Sequence, residues 1–389
     1  MKQKLFTLLL AFIAAISFAG ATDLASGTFS NGGTWKITGV VGNATLEIYA
    51  SNIPSYTAVE IEKDHHTYAP WSAYKNTISK IDLHGVTKIG DYAFAYLSKV
   101  RTVRFLDKSN ADVVIGRGAF RGCYKLVYID LTYAKEIGES AFSECPSLES
   151  IFLPNIQTIR RYAFDYCPGM YHGGFNGQPS IWLTGSTSPT IEQPVGTWGA
   201  VYDPVEEKQV GKTVSTSERF IIVATNATVK SNVRSSLSTL SIRESREYRI
   251  DVRLGGILPH ASNISDLHCY WYINKDQYTQ RECILFISEY GDLDFASETA
   301  TPWYSVRSSI ESISLQVADP HTRKVGKNAF KGLTNLTKVD GAMRISEFGE
   351  NAFSGCTKLK TIDLNGAQKI GTRAFASTIL TDKVNLTAA

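Results

Sequence analysis

"IGRGAFRGCYKLVYIDL" (residues 115–131) and "IGESAFSECPSLESIFL" (137–153) are one pattern written twice, 22 residues apart. Ile, Gly, Ala, Phe, Cys and Leu hold register throughout. Anchored on its Ala-Phe pair, the unit recurs with Phe94, Phe120, Phe142, Phe164, Phe330, Phe353 and Phe375. The spacings are 26, 22 and 22 in the first set and 23 and 22 in the second. Five positions before each Phe stands Ile89, Ile115, Ile137, Ile159, Val325, Phe348 or Ile370, followed by glycine except at Arg160. Three after Phe stands Leu97, Cys123, Cys145, Cys167, Leu333, Cys356 or Thr378.

A period of this length closed by L-x-x-I-x-L predicts a β-rich repeat solenoid of leucine-rich type. One unit cannot bury its apolar side alone, so the units must stack, Phe on Phe and Ile on Ile. The recurrent glycine is expected to mark a bend at positive φ. Arg160 should then turn differently or carry strain.

Side chains alternate along a strand, so if Ile129 and Leu131 point inward, Tyr128, Asp130 and Thr132 face outward. The same register turns Lys80, Asp82 and His84 outward, as well as Arg104, Phe152 and Trp182. Tyr128, Phe152 and Trp182 are therefore expected together on an exposed face beside Asp82, Arg104 and Asp130. Rigid exposed aromatics are what binding sites use.

A second match separates the repeat into two modules. "PWSAYKNTISKIDL" (70–83) aligns with "PWYSVRSSIESISL" (302–315) at a constant offset of 232. Upstream, "TWKI…ATLEI" and "YWYI…CILFI" each read as an antiparallel hairpin. This gives an N-terminal β cap at 22–75 and a first solenoid at 76–200. A closing cap follows at 201–236, with a strand and short helix, then a connector at 237–265. The second β cap is at 266–303 and a second short solenoid at 304–389. No closing cap is read after the last unit.

The first residues have another role. Lys2 and Lys4 precede an apolar run from Leu5 to Phe18, and Ala19, Gly20 and Ala21 supply a cleavage site. This reads as a signal peptide over 1–21, not a membrane anchor. The mature chain is expected to be secreted or held at the cell surface, with the periplasm a further destination. Removing both lysines lowers the formal charge from +3 to +1, which argues against a nucleic-acid partner.

Cys123, Cys145, Cys167 and Cys356 share one repeat slot and read as buried free thiols. Cys269 and Cys283 flank the second hairpin, where an oxidising compartment would permit a disulfide. No cofactor or metal site is expected: adjacent His65 and His66 point to opposite faces of an extended segment, and no histidine shares the cysteine slot. No G-x-S-x-G or H-E-x-x-H motif occurs, so catalysis is not expected.

The I-G-x-x-A-F-x-x-C-x-x-L-x-x-I-x-L unit, with its Pro-Trp cap, resembles the BspA-like leucine-rich repeats of bacterial surface and secreted proteins. The resemblance implies non-catalytic adhesion to a protein, with a host extracellular-matrix or cell-surface protein the first expectation. A glycan stacked on the exposed aromatics is the alternative.

Overall fold

A computed structural model describes residues 22–61, 64–107, 112–172, 180–192, 201–203, 208–210, 219–238, 250–257, 270–275, 281–288, 293–316 and 324–381. The expected signal peptide lies outside them, as does most of the expected connector. The chain divides into two compact units: Met1–His172, Pro179–Phe220 and Asn232–Ile250 form the first, while the second is built chiefly from Asp251 onward.

The first unit opens with three antiparallel strands, Thr22–Thr28, Thr34–Val40 and Asn43–Tyr49. Trp35 pairs with Ile48 and Ile37 with Leu46, and all four are buried. From Asn43–Tyr49 onward the pairing becomes parallel, running through Ile78–His84, Thr102–Leu106 and Tyr128–Ile129. Parallel neighbours need a long crossover, and here each crossover is a whole repeat unit. A second parallel ladder joins Asn52–Ile53, Lys88–Ile89, Val113–Ile115, Ala134–Ile137, Thr158–Ile159 and Thr190–Ile191.

Between the two ladders, the Ala-Phe turns stack. Tyr92, Phe94 and Tyr96 donate their backbone N–H to the carbonyls of Arg117, Ala119 and Arg121, at 2.8, 2.8 and 2.7 Å. Gly118, Phe120 and Gly122 repeat this toward Glu139, Ala141 and Ser143. The rings follow the backbone. Phe94, Phe120, Phe142 and Phe164 form a column with centroids 5.2, 5.3 and 5.6 Å apart, all fully buried.

Each Ala-Phe turn carries two left-handed residues, two before and two after the Phe. These are Tyr92 and Tyr96, Gly118 and Gly122, Ser140 and Glu144, Tyr162 and Tyr166. This corrects the expectation for the recurrent glycine, since Gly90, Gly116 and Gly138 are not among the positive-φ residues. Their constraint is contact. A Cβ on Gly138 would sit 2.6 Å from the carbonyl carbon of Gly116 in the preceding unit. Arg160 keeps the backbone bond of its glycine counterparts: its N–H reaches the Ile137 carbonyl at 2.9 Å, as Gly138 reaches Ile115 at 2.8 Å. Its guanidinium pairs with Glu136 and Glu192.

The Pro-Trp motif begins the column. Trp71 stacks on Phe94 at 5.4 Å and 23°, and its Nε1–H donates to the Ala93 carbonyl at 2.8 Å. In later units the carbonyl at this position accepts from the N–H of the preceding Phe, so the indole supplies both ring and donor of an absent repeat. Tyr56 completes the imitation by donating its N–H to the Asp91 carbonyl.

The second unit repeats the plan. Ile250–Ile257, Tyr270–Lys275 and Glu282–Ser288 are antiparallel, and Ser312–Gln316, Lys338–Asp340 and Thr361–Ile362 continue in parallel. The strand Ile250–Ile257 falls inside the range read as connector, so that boundary is corrected toward the N-terminus. Gly255 and Gly256 disguise it as a turn. In the sheet they lie opposite Tyr272 and Trp271, and a Cβ on Gly255 would collide with the Trp271 backbone. Trp303 stacks on Phe330 at 5.5 Å and 24°, and the column continues through Phe353 and Phe375. The Trp303 Nε1–H has no acceptor among the described residues. The expected strand and short helix are Arg219–Ala224 and Ala227–Ser238. Asn226 Oδ1 caps the helix by accepting the Val229 N–H at 2.8 Å.

Phe142→Ala should cost roughly 3–5 kcal/mol in chemical denaturation, because the column cannot collapse around one missing ring. Gly138→Ala should cost about 1–3 kcal/mol by crowding. Gly138→Asn should fare no better, whereas a positive-φ site would tolerate Asn over Ala.

Candidate interaction face

The outer side of the first parallel sheet carries aromatic, cationic and anionic side chains together. Strand alternation buries Leu46, Ile48, Ile81, Leu83, Val103 and Ile129 on one side. The pairing registers align the other side into rows: Thr45, Lys80, Thr102 and Tyr128; Glu47, Asp82 and Arg104; Tyr49, His84 and Leu106.

The middle row is internally satisfied. Arg104 grips Asp82 with two hydrogen bonds, Nε to Oδ1 at 2.7 Å and Nη2 to Oδ2 at 2.6 Å. The Asp82 side chain is only 9% exposed beneath an arginine that is 53% exposed. Asp82 is thus not the open charge expected from sequence. Its carboxylate anchors the guanidinium by hydrogen bonding and charge, raising the Arg104 pKa.

In the next row, Tyr49 stacks on His84 at 4.2 Å and 15°. His84 Nδ1 meets Asp107 Oδ2 at 2.5 Å, and the Tyr49 hydroxyl donates to Glu47 Oε2 at 3.4 Å. Tyr49 is 46% exposed, and Asp107 holds φ +56°. Burial and the neighbouring Glu47 carboxylate push the tyrosine hydroxyl upward. The sequence placed His84 outward but missed Tyr49 and Asp107. Tyr49 was legible by alternation, since Leu46 and Ile48 point inward on its strand.

The predicted aromatic trio is only partly assembled. Tyr128 is half-buried, and burial first, then Asp130, raises its pKa. Asp130 accepts from the backbone N–H and hydroxyl of Thr132 at 3.1 and 2.7 Å. Phe152 is half-buried and pairs with Trp182, as their strands predict. Tyr128 instead pairs with Thr102 in the other sheet. Trp182 is fully buried, which corrects its assignment to an exposed face. The whole strand Ile181–Leu183 is buried, so it is covered on both sides and alternation no longer reports exposure.

The repeat cysteines are buried, unbridged thiols. Cys123, Cys145, Cys167 and Cys356 each point Sγ–H at the Phe carbonyl of the preceding unit, at 3.2, 3.2, 3.0 and 3.1 Å. Burial pushes Cys123 and Cys356 up to about 12 from the ordinary 9.0. Cys283 is also buried and unbridged, while Cys269 lies outside the described residues. Among the described residues no three His, Cys, Asp or Glu side chains are grouped to hold a metal ion, and no helix is long and apolar enough to cross a membrane.

Parallel ladders joined by stacked Ala-Phe turns define a β-rich leucine-rich repeat protein with few helices. The model of the BspA type leucine-rich repeat region matches six copies over residues 49–175 and 304–388, more than half the chain. The chain belongs to that family. No curated protein matches it in sequence. Among solved structures it is similar to a leucine-rich cell surface protein of Faecalibacterium prausnitzii A2-165 at 17% identity. That match covers 90% of this chain and 86% of the other, with a TM-score of 0.26. A leucine-rich repeat protein of Eubacterium ventriosum matches at 13% identity, 93% and 97% coverage and a TM-score of 0.24. The pneumococcal vaccine antigen PcpA matches at 12%, with 92% and 88% coverage and a TM-score of 0.26.

Two outcomes follow. Arg104→Ala should destabilise by about 1–3 kcal/mol because it strands a buried carboxylate, and Arg104→Leu with Asp82→Leu should recover much of the loss. The thiols give a pH test. A thiol whose pKa is higher folded than unfolded stabilises the fold fully below about pH 9, and this contribution is lost as pH rises toward 12. Stability should therefore fall over that window by up to about 1.4 kcal/mol per pH unit per thiol, and Cys123→Ala should flatten the slope.

Proposed function

We propose that this is an exported, non-catalytic interaction protein whose two capped solenoids present rigid sheet faces to a protein at the cell surface or in the host matrix. The observation that carries the reading is the outer face bearing Tyr49, His84, Lys80, Arg104 and Tyr128. Aromatic, cationic and anionic groups alternate there across a hydrogen-bonded sheet, so their spacing is set before any partner arrives. Preorganised aromatic and arginine side chains contribute most strongly to protein interfaces. Membership of a repeat family that includes surface proteins supports the same reading, and the positive start, apolar run and small residues of 1–21 support export.

The specific alternative is a glycan. Tyr49 offers a ring backed by His84 and rimmed by the Glu47 and Asp107 carboxylates, which suits a sugar ring and its hydroxyls. The mature chain from Thr22 onward, tested against immobilised matrix proteins and a glycan array, separates the two. Protein binding should fall about thirtyfold in Tyr49→Ala or Tyr128→Ala at unchanged circular dichroism, the scale of a central interface aromatic. Binding confined to glycans would favour the second reading. Export is checked by terminal sequencing of secreted protein, which should begin at Thr22.

A further inference from the structure

The Tyr49 ring has one face covered and one open. It lies parallel to His84 on the following strand, 4.2 Å away, and the register sets Thr34 on its other side. Thr34 is exposed and too small to cover a ring, so that face of Tyr49 meets solvent and the residue is 46% exposed.

The charges around this ring are unbalanced. The nearby cations have partners of their own: Arg104 holds Asp82 through two hydrogen bonds, and Lys36 meets Asp23 at 2.8 Å. Glu47 accepts from the tyrosine hydroxyl, and Asp107, its side chain 71% exposed, accepts from the His84 ring. Neither carboxylate pairs with a lysine or arginine among the described residues. The tyrosine registers the resulting field. After burial, Glu47 and then Asp107 raise its pKa, with Lys36 opposing them as the smallest influence.

An aromatic face in a negative field attracts a cation, because the π-electrons add to the pull of the carboxylates. Elsewhere the chain fills such faces itself. Arg307 Cζ lies 3.8 Å from the centre of the Tyr304 ring, and Arg253 Cζ lies 4.8 Å from that of Tyr272. No described lysine or arginine lies over Tyr49. One exposed contact of this kind is too weak to retain a free small cation, so the cation must belong to a body that also covers the sheet. Guanidinium suits the place better than ammonium. It is flat enough to lie on a ring, and it forks its N–H groups toward a carboxylate, as Arg104 does toward Asp82 in the adjoining row.

We propose that Tyr49 receives an arginine side chain of the protein partner, its guanidinium lying on the open ring face and donating to Glu47. Asp107 holds the His84 ring beneath the tyrosine and adds its charge to the attraction. This contact rests on the sheet-face reading above and narrows it to partners that present an arginine.

The test selects a phage-displayed random heptapeptide library on the chain as secreted, after depletion on its Tyr49→Leu variant. Recovered peptides should carry arginine. In fluorescence anisotropy with the synthetic peptides, citrulline in place of that arginine should weaken binding at least about tenfold, since it keeps the shape and loses the charge. Tyr49→Leu should cost as much, while Tyr49→Phe, which keeps the ring, should retain most of the affinity. Glu47→Gln and Asp107→Asn should each weaken binding about threefold at low salt and less at high salt. Asparagine suits position 107 because it tolerates the positive φ there. Thermal unfolding should show all four variants folded. Recovery of no peptide that distinguishes Tyr49→Leu, of Tyr49-dependent peptides without arginine, or of peptides indifferent to citrulline would overturn the proposal. Peptides selected without depletion that Tyr128→Ala abolishes and Tyr49→Leu spares would sink this site while leaving the sheet-face reading standing.

Discussion

The backbone hydrogen bond between successive Ala-Phe turns sets the spacing on which the rest depends. A unit can approach its neighbour no farther and no closer than an N–H···O contact allows, and three such bonds per turn fix its tilt as well. At that separation a Phe ring meets the next Phe ring, a Cβ on Gly116 or Gly138 would crowd the backbone of the unit before it, and a Cys sulfur comes within reach of a carbonyl one unit back. The carbonyl that serves the thiol also accepts an N–H from within its own turn, as Phe120 does from Cys123. One spacing thus selects three residue types.

The left-handed residues belong to the same constraint. Turning the N–H groups of alternate residues toward the next unit requires two positive-φ positions per turn, and the sequence fills them with Tyr, Ser, Glu, Asn and Arg as readily as with Gly. A non-glycine residue in that region costs roughly 1 kcal/mol or more. The strain recurs in every unit, held by the ladder and the ring column around it.

What could be read from sequence follows from what repeats. The inward Ile and Leu positions, the Phe column and the thiol slot recur with the period, so each was legible several times over. The outward register held through Tyr128 and Phe152 because those strands have one covered side. It failed at Trp182, where the strand is buried on both faces and a side chain's direction no longer implies solvent. Asp82 was correctly aimed but not free, since a pattern of directions does not reveal which neighbours bond. Glycine was located correctly and explained wrongly: a close approach between units is a property of two chain segments, while positive φ is a property of one. Gly255 and Gly256 hid a strand for the same reason.

The extra four residues of the first interval fall between Phe105 and Ile115, a stretch of ten steps where the next unit, from Leu131 to Ile137, takes six. The added length therefore enters a connection and leaves the Ile, Phe and Leu slots in phase. This gives the lineage a rule for change. Gene segments of one full period can be gained or lost without disturbing the phase of what remains, and connections can lengthen freely. A one-residue slip inside a turn would throw every later slot out of phase with its neighbour. Variation among descendants should accordingly come as whole periods and loop insertions, with frame-like intolerance between them.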